Sequence, residues 1–334
     1  MVSVIKKSSC KVLTDNELTK LGLKSGIEIH QQLDGRKLFS PYPTIISEDN
    51  SYDFELKRYI RASSGEGGEV DVAAKAEAKK QKVFIYRGNN NSAGLVETDG
   101  MPPISIDKNA LVASLQFAKI LQSNISPVIQ VMRKTVADGS NTTGFQRTAL
   151  VARGGEIETS LGPVKIDNIS IEEDSCRTIE NLAEKKVYHL DRLGIPLIEV
   201  GTAPDIKSPK HCQETAKKLG GILRSLPNCR RCLGTIRQDV NVSIKEGERV
   251  EIKGAQDLKQ VPDLVRLEAT RQHQLVLFKK YLNEQNISIT PNLEIVDLST
   301  LLANSNSKII KSNKENGGVI KAIKLSGWQG LIGR

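Results

Sequence analysis

The chain has 334 residues, of which 38% are hydrophobic and 26% charged. That is ordinary globular composition, enough for one large domain or two smaller ones, and it argues against fibrous or disordered classes. No run of 18 apolar residues exists and "MVSVIKKSSCKVLTDNELTK" has no apolar signal core, so neither membrane insertion nor secretion is expected and the cytoplasm is the default. The 48 Lys plus Arg against 39 Asp plus Glu give a formal charge of +9, which favours a polyanionic partner, with lysine-rich background usage as the plain alternative. Aromatic residues are only 4%, so a surface that stacks many single-stranded bases is excluded, and backbone contacts would have to dominate.

Residues 1–20 are polar and read as a loose amino-terminal extension, with the main domain starting near Leu21. "GIEIHQQL" (26–33) alternates as a strand, sending Ile27 and Ile29 to one face and Glu28, His30 and Gln32 to the other. "SYDFELKRYIRAS" (51–63) and "KNALVASLQFAKILQS" (108–123) carry apolar residues at helical spacing, and "KVFIYR" (82–87) reads as a strand. From Pro127 to Lys253 strand signals and turn glycines accumulate, interrupted by one helix over 208–226 with Ser208 as N-cap and Pro209 at the first position. A long amphipathic helix over 262–282 closes the main domain. Beyond it the chain is polar and turn-rich, and "VIKAIKL" (319–325) reads as a strand without a visible partner, which suggests a fragment of a longer protein. The pattern is α+β, with no repeating βαβ unit.

Five cysteines, at 10, 176, 212, 229 and 232, fit reduced thiols better than a disulfide framework. "CRRC" (229–232) lacks the further ligands a zinc site needs and the βαβ setting of a redox motif.

Three further strand-like stretches carry acidic groups. "NISIEED" (168–174) ends in three carboxylates, and strict alternation puts Glu172, not Glu173, opposite Ile171. "GIPLIEV" (194–200) presents Glu199 and Leu197 on one face. "TIRQDVNVSIK" (235–245) places Ile236, Gln238, Val240, Val242 and Ile244 on one face and Arg237, Asp239, Asn241, Ser243 and Lys245 on the other. Carboxylates among apolar residues are costly to desolvate without a neutralising cation. A solvated sheet with cross-strand ion pairs is the bland alternative for any one strand. Together, oxygen ligands and one imidazole suit a hard divalent ion such as Mg²⁺, which commonly couples carboxylates to nucleotide phosphates. No GxxxxGK[ST] loop is present, and "SSGEGGEVD" (63–71) lacks its lysine, so any ATP would bind on a sheet through metals and arginines.

Six blocks, "GIEIHQQL", "RKTVADGSNTTGFQRTALVA", "SIEEDSCR", "DRLGIPLIEVGTAPDI", "LGTIRQDVNVSI" and "VEIKGAQDL", resemble in this order the GatB/GatE amidotransferase subunits, and more the archaeal E type than the bacterial B type. The resemblance covers about residues 20–330. It implies a glutamine-synthetase-like α+β cradle over 21–288, built on a mixed, largely antiparallel sheet with flanking helices. After it, 289–334 would begin an inserted domain similar to one in bacterial aspartyl-tRNA synthetases. It also implies a ligase that uses ATP to phosphorylate glutamate mischarged on tRNA(Gln), then lets ammonia displace the phosphate to give Gln-tRNA(Gln). The ammonia would come from an asparaginase-like D subunit in a hetero-oligomer with a homodimeric partner. By motif match, Glu28, His30, Glu173 (with Glu172 beside it) and Glu199 would hold Mg²⁺ and serve catalysis, the choice of Glu173 resting on the family resemblance against the alternation, while Arg237, Asp239 and Asn241 would line the ATP or acceptor-end pocket. Arg192 of "DRLGIP" would contact phosphate, unless it forms a surface salt bridge with Asp239. One departure stands out: "KLFSPYPT" (37–44) has Ser40 and Tyr42 where family members often carry zinc-binding cysteines, so no zinc is expected there. A truncated or degenerate tRNA-binding module without catalysis is the alternative, and a metal-dependent nuclease using the same carboxylates a third.

Overall fold

In the computed structural model the described residues are 12–59, 68–287 and 294–325. Most of the amino-terminal extension (1–11), the start of the glycine-rich stretch (60–67), and segments 288–293 and 326–334 lie outside them. In chain order the strands are β1 (Lys24–Gln32), β2 (Phe54–Tyr59), β3 (Val83–Gly88), β4 (Asn124–Ile125), β5 (Val131–Thr135), β6 (Phe145–Arg153), β7 (Glu156–Ile157) and β8 (Val164–Glu173). They continue as β9 (Arg177–Asn181), β10 (Lys185–His189), β11 (Pro196–Thr202), β12 (Ile236–Ser243), β13 (Val250–Ile252), β14 (Ile295–Asp297) and β15 (Lys321–Ile323). The helices are α1 (Asp15–Lys20), α2 (Val72–Lys79), α3 (Lys108–Ile120), α4 (Pro209–Ser225), α5 (Val261–Glu284) and α6 (Lys308–Glu315).

Among the described residues, nine strands form one antiparallel sheet in the order β13-β12-β1-β11-β8-β6-β4, with β5 also pairing with β6 and β7 with β8. Its centre is built from strands far apart in sequence. β1 pairs with β11 on one side and with β12 on the other. Alternation does the sorting. Ile27 and Ile29 of β1, Ile169 and Ile171 of β8, Ile198 and Val200 of β11, and Val240 and Val242 of β12 turn to one face and are buried with Phe117 of α3, Leu219 of α4 and Val265 of α5. Each such burial contributes about 1.5–3 kcal/mol, which makes this face the main source of stability. The architecture is α+β, as the pattern of apolar residues predicts.

Local signals place the helices. Asp107 caps α3 by accepting from the Ala110 amide, and Ser208 caps α4 by accepting from the His211 amide, with Pro209 at the first position. α1 starts in a capping box between Thr14 and Glu17, and its Leu18 is buried in the main core. The packed unit therefore begins before Leu21, within the stretch assigned to the extension.

Two other expectations change. Residues 54–59 form a strand, not part of a helix over 51–63: Phe54 and Leu56 alternate inward onto a small cluster with Phe84, Tyr86 and Tyr188. Phe54 and Leu56, two apart, fit the strand period while Leu56 and Tyr59, three apart, fit the helical one, and pairing with β3 decides it. The strand read at 319–325 does have a partner, since Ile323 of β15 pairs with Ile295 of β14.

The second sheet, β2-β3-β10-β9, holds one parallel pairing, β3 with β10. Tyr86 and Tyr188 stack at 5.7 Å, and the Tyr86 hydroxyl donates to the Gly139 carbonyl at 2.7 Å. Gly139 has φ of 78°, and any Cβ there would overlap the Phe84 ring, so the loop after β5 needs glycine to seat on this sheet. Lys37, wholly buried after β1, donates to the Leu190 carbonyl at 3.0 Å and faces Glu97 at 3.6 Å.

Asp191 anchors the same region. Its buried carboxylate accepts from Arg177 at 2.7 Å and lies 3.2 Å from His189 Nδ1. Burial would raise its pKa, but the bonds from His189 and Arg177 outweigh that and hold it below the ordinary carboxylate value. A depressed folded-state pKa means stability present above pH ~4 and lost as pH falls toward the folded value. Asp191→Asn is expected to flatten that acid-side loss and to lower stability at pH 7 by about 3 kcal/mol, as breaking a buried ion pair does. Urea unfolding between pH 7 and pH 3 measures both effects.

Candidate active site

The face of the large sheet opposite the helices carries the polar residues. Register puts them in a row: His30 lies opposite Glu199 on β11 and Arg237 on β12, while Glu28 lies opposite Asp239. On the far side of β11, Glu172 pairs with Leu197, diagonal to Glu199. Neighbouring strands are spaced about 4.8 Å apart, so side chains two residues apart on one strand and opposite each other on the next must meet.

They do. His30 Nε2 lies 3.5 Å from Glu28 Oε1, 3.5 Å from Glu172 Oε1 and 3.7 Å from Glu199 Oε2. Glu172 also accepts from the Thr148 hydroxyl at 3.1 Å. Lys134 of β5 stands 3.9 Å from Glu172. Asp174, buried just past β8, accepts from Arg237 Nη2 at 2.8 Å and from Gln32 Nε2 at 2.6 Å. Glu28, His30, Glu172, Arg237 and Asp239 line one hollow of about 320 Å³, within the range of small-molecule sites. A larger hollow of about 900 Å³, among Phe39, Met101, Pro103, Ile129 and Phe145, is mostly apolar and brings no paired carboxylates together. The titratable groups gather in the smaller one.

The electrostatics are those of crowded acids around one base. Burial alone would lower the His30 pKa, but contact with Glu199 and the charges of Glu172, Glu199 and Glu28 outweigh it and raise the imidazole above its ordinary value. Burial and the Glu199 charge push Glu172 up, while His30 and Lys134 overcome burial to pull Glu199 down. Burial, then Glu199, raises Glu28. Among these carboxylates Glu172 is thus the one held furthest toward its protonated form.

Glu28, His30 and Glu199 each offer a ligand atom, all within 4.8 Å of one another, and Glu28, Asp239 and Glu251 form a second such group. Glu199 Oε2 is buried and makes no hydrogen bond, with His30 Nε2 facing it at 3.7 Å. A buried acceptor without a hydrogen bond, beside further carboxylates and with one imidazole facing them, has room for more neutralising charge, and this oxygen-rich set fits a hard divalent ion.

Several expected residues go elsewhere. Glu173 leaves the row: it turns to the opposite face and is buried against Arg147, 3.0 Å from Nη1. Alternation along β8 favours Glu172 and the structure agrees with it. Arg192 does not reach the hollow. Its Nε and Nη2 donate to the Ser175 and Cys176 carbonyls at 2.8 and 2.7 Å, which occupies it as a backbone clamp. Its acidic neighbour is Asp174, at 3.8 Å, and not Asp239, which accepts from the Gly254 amide at 2.8 Å and from Lys253 at 3.3 Å. Asn241 sits one pair beyond, opposite Gly26 and Glu251, on the same face but outside the hollow's lining. Sequence reasoning missed Lys134, Asp174, Glu251 and Lys253. Alternation of Val250 and Ile252 with Glu251 and Lys253 in "VEIK" was a usable signal for the last two.

Residues 23–318 match the family model described as the GatB/GatE catalytic domain. The chain is 46% identical over 321 residues to the E subunit of glutamyl-tRNA(Gln) amidotransferase from Methanococcus vannielii, covering 96% of this chain and 50% of that protein. It is 48% identical over 318 residues to the protein of the same name from Saccharolobus islandicus, covering 94% of this chain and 50% of that one. The chain belongs to the GatB/GatE family. It spans about half the length of these relatives. Every residue of the carboxylate row falls inside the GatB/GatE match, on the strands that form the centre of the sheet.

If the acids raise the imidazole, removing one should lower it. Glu199→Gln is expected to bring the His30 pKa down, read from the pH dependence of its ring-proton NMR signals. An unshifted titration would show that the crowd of acids does not set the charge of His30.

Proposed function

We propose that this chain is the catalytic part of a tRNA-dependent amidotransferase that converts Glu-tRNA(Gln) to Gln-tRNA(Gln) with ATP and Mg²⁺. The observation that carries it is the meeting of Glu28, His30, Glu172 and Glu199 in one row, with a buried oxygen on Glu199 that makes no hydrogen bond. Family membership and the name its relatives bear supply the substrate class.

Glu28, His30 and Glu199 would hold Mg²⁺, and Glu28 with Asp239 and Glu251 a second ion. When bound, such an ion neutralises phosphate charge during transfer. Arg237, held by Asp174 through Nη2, lines the hollow and would donate to a phosphate or carboxylate oxygen there. The side-chain carboxylate of the tRNA-linked glutamate would attack the γ-phosphorus of ATP, giving an acyl phosphate and ADP. Ammonia would then attack the acyl carbon, expel inorganic phosphate and lose a proton to leave the amide. The sheet's task is to fix the two reactants and hold charge, since phosphoryl transfer asks little covalent chemistry of the protein.

Ammonia would come from an asparaginase-like D subunit, itself a homodimer, in a cytoplasmic complex where charged tRNA is found. Among the described residues no helix is long and apolar enough to cross a membrane. Residues from about 289 onward would begin the inserted domain.

The test supplies Glu-tRNA(Gln), ATP and Mg²⁺ with ammonium chloride as nitrogen source, and measures phosphate release and Gln-tRNA(Gln). His30→Ala and Glu199→Gln should each reduce both by on the order of 100-fold while the circular dichroism spectrum is unchanged. Retained turnover overturns these assignments. Retention of tRNA without phosphate release favours a binding module, and RNA cleavage without ATP a nuclease.

A further inference from the structure

Two lysines stand at opposite borders of the hollow, one against two acids of the second ligand group and one against Glu172, which adjoins the first. Lys253, just after β13, lies 3.3 Å from Asp239 and 3.0 Å from Glu251, two members of the second ligand group. Lys134, on β5, lies 3.9 Å from Glu172, which touches the first group through His30. Both line the hollow and both side chains are more than half exposed, 71% and 57%. Exposed pairs of this kind contribute little to stability, so their placement calls for another reason.

The charge arithmetic gives one. Glu28, Glu172, Glu199, Asp239 and Glu251 gather within a few strands, and the groups facing them are His30, Arg237, Lys134 and Lys253. Arg237 is committed to Asp174. An ammonium group is a compact point charge on a flexible four-carbon stem, able to neutralise an acid pair and to leave it by rotation alone.

We infer that Lys134 and Lys253 are exchangeable counter-ions, each neutralising its acid group until a divalent cation takes the place and each then turning its ammonium to the nucleotide phosphates. A dication at the same carboxylates repels the ammonium that held them, and polyphosphate in the same hollow attracts it. The lysines thereby couple the two ligands: the cation prepares the phosphate contacts, and the phosphates stabilise the displaced lysines. The inference rests on the reading of the row as a cation site, and the test separates the two.

Mn²⁺ binding without nucleotide, by calorimetry on the full chain, is the first measurement. Lys253→Met and Lys134→Met should each bind Mn²⁺ about two- to fivefold more tightly than the unmodified protein, since each removes an ammonium that competes in an exposed pair. The second measurement is binding of a non-hydrolysable ATP analogue with saturating Mg²⁺, which should weaken about fivefold in each variant. Unchanged or weaker Mn²⁺ binding in both variants, while Glu28→Gln does weaken it, overturns the counter-ion role alone. If the unmodified protein binds no Mn²⁺, or Glu28→Gln and Glu199→Gln leave binding unchanged, the cation reading falls and this proposal with it. Tighter Mn²⁺ binding with unaltered nucleotide affinity overturns the turn to phosphate.

Discussion

Antiparallel pairing of β1 between β11 and β12 is the constraint on which everything else depends. Because successive side chains alternate, one choice of register fixes both faces at once. Ile27 and Ile29 enter the core only if Glu28 and His30 stand on the other side. A slip of one residue would put the acids under the helices and the isoleucines in water. The large apolar contribution of the helix-covered face thus enforces the crowding of acids on the open face, where Glu28, Glu172 and Glu199 would otherwise repel one another apart. Folding energy is spent there on holding like charges together, which is how a site that waits for a cation is kept.

The second sheet and the loops around it carry the supports. Arg192 grips the Ser175 and Cys176 carbonyls, Asp174 fixes Arg237 and Gln32, and Lys37 reaches from the turn after β1 to Leu190. Of these, Asp174, Ser175 and Arg237 line the hollow themselves, and the other contacts hold strand ends beside it. Gly139 and the stacked Tyr86 and Tyr188 hold the loop that leads out of β5, and with it the edge on which Lys134 stands.

Much of this is legible in the sequence for a simple reason: strands with period two declare their faces. Glu28, His30, Glu199, Arg237 and Asp239 are found this way, the helix at 108–120 by its apolar spacing and the helix at 209–225 by its Ser208–Pro209 start. Where alternation and family resemblance disagreed, over Glu172 and Glu173, alternation was right about which side chain meets His30. What stayed hidden depends on distance between strands. Lys134 sits on β5, whose five residues are all exposed, so no apolar rhythm marks its facing, and its neighbour Glu172 is known only once β5, β6 and β8 are aligned. Arg192 misleads because an arginine beside a turn looks the same whether it grips backbone carbonyls or waits for a ligand. The segment at 54–59 is too short for its periodicity to choose between helix and strand.

The position of β1 also sets a timetable for synthesis. It leaves the ribosome well before its neighbours: it ends at Gln32, but both strands that flank it begin only at Pro196 and Ile236. At translation speeds of about 5–20 residues per second, the central strand has no neighbours for on the order of ten seconds or more. A nascent chain with such a naked, isoleucine-bearing ribbon is exposed to wrong pairings throughout that interval, so production of this protein should be more sensitive to chaperone supply than its final stability suggests.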